Sequence, residues 1–251
     1  MRDEPAPLAD GRLLDAWEAA GELAPVGRPI ALLAEAYRRD FGWLADQPLG
    51  RRDALLVRLR RALAGDRLDA VAACPGCGEA VELEFSLGTL WEDDGPEPAG
   101  DGPDGSRELT VTTGRYEVRC RPVTTADLAA VRTAPDRARA LLERCVPHAR
   151  RAGEPVPPAD LPDEVRAAVE EALVAADPHA ETLLGLRCPA CDTQWWAGLD
   201  LAAFLWADVE RLALRTLREV DTLARAYGWR ESDILAMGRT RRRRYLDLVT
   251  A

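Results

Sequence analysis

Lysine is missing from this chain: all 33 basic residues are arginine. A GC-rich coding background that favours arginine accounts for this, and it bears on the host more than on function. Also missing is any apolar run near the roughly 18 residues of a membrane span. The opening MRDEPAPLAD is charged and proline-rich, without the apolar stretch of a signal peptide. Together these absences predict a soluble, cytoplasmic protein with no membrane partner. Histidine is scarce, with only His148 and His179, each beside a proline. No His-Glu-x-x-His, P-loop, nucleophile elbow or dinucleotide fingerprint occurs. Carboxylates are abundant, but no pair stands out as an acid/base couple. The expectation is therefore a non-enzymatic protein with no small-molecule substrate. The formal net charge of −10 argues against a general nucleic-acid binder, because phosphate binding draws on basic surface.

What is present is a chain of 251 residues, 47% of them apolar, enough for a real core. Six cysteines include two Cys-x-x-Cys turns, Cys74-Pro75-Gly76-Cys77 and Cys188-Pro189-Ala190-Cys191. In a reducing compartment such turns point to a metal or redox site before a disulfide. Each turn aims two sulfurs at one ion, and two turns supply the four ligands of a tetrahedral zinc site with no open position for catalysis. The residue after the second cysteine must tolerate left-handed backbone, which Gly78 does freely and Asp192 less well. Each turn precedes a stretch with strand periodicity, the layout of a zinc ribbon. The predicted site is structural Zn2+ on Cys74, Cys77, Cys188 and Cys191; an iron centre, a redox dithiol and four free thiols stay open as alternatives. Cys77 and Cys188 stand 111 positions apart, where a compact ribbon has about 15 to 20. The ribbon must therefore be split by an insertion, which is tolerable because loop closure costs grow only with the logarithm of length. Cys120 and Cys145, among apolar neighbours, read as buried thiols.

Periodicity predicts helices from Gly11 to about Ala73, broken at Pro25, Pro29 and Pro48. AVELEFS alternates as a strand, and RELTVTT and RYEVRCRPV read as two more around a turn at Gly114. Between them, residues 92–106 are acidic and rich in glycine and proline, which predicts a disordered loop. Thr124 or Thr125 can cap a following helix, and DRARALLERCV is another. Residues 147–162 form a proline-rich connection, followed by a helix over 163–176. LLGLR and QWWAGL flank the second cysteine turn as strands, so Trp195 and Trp196 point to opposite faces. Asp200 is placed to cap a long helix over 201–227, with an apolar stripe from Leu205 to Tyr227, and Gly228 to stop it. The expected fold is α+β and mostly helical, with a small antiparallel sheet around a split zinc ribbon and a long C-terminal helix. Its expected segments are an N-terminal helical part (1–73), a ribbon core with inserted helices (74–200) and a C-terminal helical part (201–251).

The cluster Arg239, Arg241, Arg242, Arg243 and Arg244 with Tyr245 is the other conspicuous feature. A solvated helix face, a docking surface for an acidic partner and a nucleic-acid patch are its three readings. Trp206, Trp229, Arg241, Arg242, Arg243, Arg244 and Tyr245 are the candidate partner-binding residues.

The C-terminal block carries Trp206, Tyr227-Gly228-Trp229, Asp233-Ile234-Leu235 and Arg243-Arg244-Tyr245-Leu246. With CPGCGEAVELEF, RPVTTADLAAV, ARALLERCV and CPACDTQW upstream in the same order, it resembles a family of phage baseplate proteins. These occur in contractile tails and phage-tail-like contractile injection systems, and are similar to baseplate hub assembly proteins. The resemblance runs from about Asp53 to the end. Departures are Asp192 where glycine is common, Arg230 where a small capping residue is usual, and the acidic 92–106 stretch. The resemblance implies a structural or assembly role, with baseplate or hub subunits as partners and possible incorporation into the particle. The alternative is a zinc-ribbon regulatory or nucleic-acid-associated protein.

Overall fold

In the structure, a computed structural model that describes residues 4–6, 8–91 and 108–250, the two ends of the chain share one helical layer. The N-terminal part supplies α1 (Asp10–Gly21), α2 (Arg28–Tyr37), the short α3 (Phe41–Ala45) and α4 (Leu49–Ala64). Pro29 lies in the first turn of α2, where its missing N–H costs nothing. Asp40 caps α3 by accepting a hydrogen bond from the Trp43 N–H at 2.8 Å. Leu13, Ile30, Leu33, Leu44, Leu56 and Leu59 close a core with Leu205 and Val209 of the long C-terminal helix, α9 (Leu201–Tyr227). The N- and C-terminal segments that the sequence separates are thus packed as one body.

Helix α4 ends at Ala64 rather than continuing to Ala73. Gly65, at φ 86°, breaks it, and Arg67–Ala73 is instead strand β1. The stretch RLDAVAA is rich in alanine, the best helix former, so its local propensity misleads. Its alternation wins, with Leu68, Ala70 and Ala72 less exposed than their neighbours. It pairs antiparallel with β2 (Ala80–Ser86), setting Leu68 opposite Phe85 and Ala72 opposite Val81. A second hairpin joins β7 (Leu183–Arg187) to β8 (Gln194–Gly198), with Leu184 opposite Ala197. Leu68, Phe85 and Leu184 meet Val57, Trp91, Leu199 and Leu201, so the bases of both hairpins rest in one apolar cluster above α4 and α9. The short helix α5 (Leu87–Leu90) follows β2.

The insertion between the hairpins has its own core. Strands β3 (Leu109–Thr113), β4 (Tyr116–Cys120), β5 (His148–Arg151) and β6 (Glu154–Pro155) form an antiparallel meander. They pack with α7 (Arg137–Cys145) and α8 (Asp163–Ala176) around Val118, Cys120, Val146, Leu161 and Val165. The proline-rich stretch 147–162 thus holds two short strands. Ala149 turns into the core opposite Val118, while Pro155 sits at the sheet edge, where its missing donor is tolerated. In place of the expected single sheet, the described residues form three separate antiparallel sheets. Thr124 caps α6 (Thr125–Val131) in a reciprocal box with Asp127. Burial would raise the Asp127 carboxyl, but hydrogen bonds from Arg121 and Thr124 bring it down to about 2. The predicted loop over 92–106 lies outside the described residues.

Asp200 caps α9 by accepting from the Ala203 N–H at 3.0 Å, and Gly228, at φ 69°, stops it. Leu205, Val209, Thr216, Val220 and Leu223 of the predicted stripe are buried; Tyr227, at its end, is 40% exposed. Helices α10 (Glu231–Leu235) and α11 (Arg239–Thr250) fold back on α9 around Val220, Leu223 and Ile234.

Candidate metal centre

Each cysteine turn is built at the tip of a hairpin by the same pair of backbone hydrogen bonds. In the first, Cys74 N–H donates to Glu79 C=O at 2.8 Å and Gly78 N–H donates to Cys74 C=O at 2.9 Å. In the second, Cys188 N–H donates to Thr193 C=O at 2.9 Å and Asp192 N–H donates to Cys188 C=O at 3.0 Å. Closing such a turn needs left-handed backbone after the second cysteine, and Gly78 and Asp192 adopt φ 78° and 65°. Asp192 offsets its strain locally: its carboxylate accepts two hydrogen bonds from Arg187, at 2.6 and 2.7 Å.

The two tips face each other. Cys74 Sγ lies 3.6 Å from Cys191 Sγ, and Cys77 Sγ lies 3.7 Å from Cys188 Sγ. All four sulfurs lie within 4.8 Å of one another, and all four cysteines are free. Thiolates about 2.3 Å from a central tetrahedral ion stand roughly 3.8 Å apart, so these spacings fit a four-sulfur site. Each turn contributes one buried cysteine, Cys74 or Cys188, and one exposed cysteine, Cys77 or Cys191. Val81, Leu83 and Trp195 pack beneath the cluster.

Local donors prepare the sulfurs for a cation. Gly76 N–H donates to Cys74 Sγ at 3.4 Å, and the Thr193 hydroxyl lies 3.2 Å from Cys191 Sγ. That hydroxyl, then the Thr193 backbone N–H and Cys77, draw the Cys191 thiol down to about 6. Cys77 goes the other way. Its Glu79 backbone contact pulls it down, but the surrounding thiols and burial together push it up to about 12.

Close packing between the turns depends on a glycine that the sequence did not single out. A Cβ at Gly76 would lie 2.5 Å from Thr193 Oγ1 of the opposite turn. The visible signal was slight: position 76 is Gly where the matching position 190 is Ala.

The predicted partner-binding residues separate into two groups. Arg242 is only 3% exposed: it donates to Glu219 at 2.8 Å and also bonds Asp10, so it braces the fold and is removed from the docking set. Arg239 also bonds Asp10, at 2.7 Å. Trp229 and Tyr245 lie edge-on with ring centroids 4.9 Å apart, and Trp229 stacks on Tyr227 at 4.5 Å. Trp206 packs on the helical core under the Arg28 guanidinium, 4.6 Å from its centroid. These four side chains are anchors of α9, α10 and α11 first. Arg241, Arg243 and Arg244 face solvent and make no ion pair among the described residues. Trp195 turns inward and Trp196 outward, 72% exposed, as their alternation predicts.

Sequence reasoning also missed contacts between distant segments. Asp177 accepts from the Gly50 N–H at 2.9 Å, capping α4 across 127 positions. His179 stacks on Trp91 with centroids 4.5 Å apart, and His148 lies exposed in β5. Cys120 and Cys145 are buried, and burial pushes the Cys145 thiol up to about 11. No helix among the described residues is long and apolar enough to cross a membrane. Compared with known proteins, the chain matches no protein-family model, no curated protein and no solved structure.

Proposed function

We propose that this chain is a non-enzymatic structural or assembly protein, held in shape by one zinc ion on Cys74, Cys77, Cys188 and Cys191. The observation that carries the proposal is the four-sulfur cluster, spaced for a tetrahedral ion and formed by two hairpins that meet from distant parts of the chain. Zinc suits four thiolates better than a hard cation does, and a site filled by four protein sulfurs has no position left for substrate. Such a centre serves shape. Bound there, zinc would fix the two hairpin tips against each other above α4 and α9, while the helical layer that carries α11 keeps its own core.

The ordered resemblance from Asp53 to the C-terminus supports placing the protein in the baseplate of a contractile phage tail or contractile injection system. Its partners are then hub or baseplate subunits, docked on the helical end of the molecule. Two measurements test the two halves of the reading. Metal analysis of protein purified without added metal should give one zinc per chain; iron or no metal overturns the structural-zinc reading. Affinity purification from cells expressing the whole gene cluster should recover baseplate subunits at defined stoichiometry. Recovery of none, with the tagged protein folded and abundant, overturns the baseplate reading and leaves the metal centre standing.

A further inference from the structure

We infer that the outward face of α11 is a binding surface for an acidic segment of another protein, read by Arg243 and Arg244 with Arg241 at its flank. This deepens the docking role proposed above and rests on it, but it is carried by different observations.

Helix α11 divides cleanly. Arg242, Tyr245 and Leu246 turn inward, onto Glu219, Asp10 and the aromatic pair Tyr227 and Trp229. The opposite face presents Thr240, Arg243, Arg244 and Asp247, with Arg239 at its edge. These extended side chains border an open groove of about 380 Å³. The exposed Leu248 lies one turn beyond Arg244 and extends this face with an apolar contact.

The charge on this face runs against the needs of the helix itself. A helix N-terminus favours anions, yet the first turn of α11 has no acidic residue and carries Arg239, Arg241 and Arg242. Asp10 offsets Arg239 and Arg242. Arg241, Arg243 and Arg244 add positive charge to the first half of α11 with no ion pair among the described residues. A local rule broken with no compensation among the described residues points to a site whose compensation comes from a partner. The adjacent guanidinium groups of Arg243 and Arg244 present forked donors that match carboxylates.

The partner is an acidic protein segment rather than nucleic acid because the positive charge is local. The chain as a whole carries −10, which repels a long polyanion, while a short acidic segment can lie along Arg243, Arg244 and Leu248.

The test uses the full-length, metal-loaded protein and a fluorescein-labelled peptide of alternating glutamate and glycine, read by anisotropy at low salt. The double variant Arg243→Glu/Arg244→Glu should weaken binding at least about tenfold. Arg243→Gln/Arg244→Gln should give an intermediate loss. Arg115→Glu/Arg218→Glu, which changes net charge equally at exposed positions elsewhere, should stay within about twofold. Thermal melting should fall for none of them, since none of these side chains makes an ion pair among the described residues. The Arg243/Arg244 variants, which relieve the charge conflict in α11, should melt at or slightly above the wild-type temperature. No binding by the wild type overturns the surface, as does equal loss in both Glu pairs. A single-stranded oligonucleotide of matched charge that binds more tightly through the same arginines also overturns it, in favour of nucleic acid. Metal content of the same samples separates this failure from failure of the zinc scaffold.

Discussion

Stripping the metal should disorder the hairpin tips and leave the helical layer folded. Beneath the four sulfurs, Val81, 9% exposed, is the buried apolar residue of the cluster that is not a ligand, with Leu83 and Trp195 half-buried around it. Burying such an aliphatic side chain stabilises by about 1.5–3 kcal/mol. A closed zinc–thiolate centre contributes about 10–16 kcal/mol in small peptides, so the ion dominates the tips. The sheets β1–β2 and β7–β8 are two-stranded, and a hairpin of that size is marginal alone. Their bases are different, because Leu68, Phe85 and Leu184 are packed against Val57, Leu199 and Leu201 without any metal. Hydrogen exchange read by mass spectrometry, before and after a strong chelator, separates the two. The amides of Cys74, Gly78, Cys188 and Asp192, which close the turns, should lose protection, while those of α1, α4 and α9 keep it. Turn amides that stay protected once the metal is shown to be gone would refute the reasoning. So would collapse of the helical layer, because its core of Leu13, Ile30, Leu56 and Leu205 contains no ligand.

Three further changes probe the same architecture. Gly76→Ala drives a methyl against Thr193 of the facing turn, 2.5 Å from Oγ1 and 3.3 Å from Cβ, and overpacking of this kind costs about 1–3 kcal/mol. Zinc affinity, measured by competition with a chromophoric chelator, should fall by about ten- to a hundredfold and partly recover in Gly76→Ala/Thr193→Ala. Burial, opposed by Arg52 and reinforced by the nearby Asp200 and Asp177, raises the Asp53 carboxyl to about 6. Its favourable contribution is complete below about pH 4 and is lost as pH rises through 6. Asp53→Asn should therefore be more stable than wild type at pH 8, by up to about 3 kcal/mol, and lose that advantage by pH 4 in urea titrations. Asp208→Ala leaves the buried Arg60 charge, whose Nε lies 2.8 Å from the carboxylate between α4 and α9, with only the Gly65 and Arg67 carbonyls as partners, and should cost about 3–5 kcal/mol.

The parts legible in the sequence were those set by local chemistry. Asp200 and Gly228 mark both ends of α9 because capping and left-handed backbone act within a few residues. The four metal-ligand candidates were legible for the same reason, since a Cys-x-x-Cys turn is a local structure whose purpose needs a second copy. Where reading failed, two local signals disagreed or the partner was remote. RLDAVAA carries alanine for a helix and alternation for a strand, and only pairing with β2 decides between them. Arg242 looks like its neighbours in sequence; its burial depends on Asp10, 232 positions away. Gly76 and Thr193 likewise lie on different turns, so no window along the chain contains their contact.

The distance between the turns is less of an obstacle than it looks, because of where the insertion leaves and returns. Closing a flexible loop of 111 residues instead of about 17 costs about 1.7 kcal/mol more by the logarithmic rule, well below the stabilisation of a closed zinc site. The real cost is lower still. Strands β3 to β6 with α7 and α8 bury their own core, so most of the insertion is already ordered without reference to the metal. The chain runs on from β2 near Phe85 and comes back into β7 at Leu184, and these two side chains share one apolar cluster. A folded unit whose ends meet in that way can be placed between two halves of a small metal-binding module while their geometry is kept. The same cluster includes Val57 of α4 and Leu201 of α9, so the pair of hairpins whose tips a metal would fix stands on the two helices that join the ends of the chain. Helix α9 also packs on α11, which is braced in turn by Arg242 on Asp10 and Glu219, so Arg241, Arg243 and Arg244, which make no ion pair among the described residues, stand on a helix of fixed orientation.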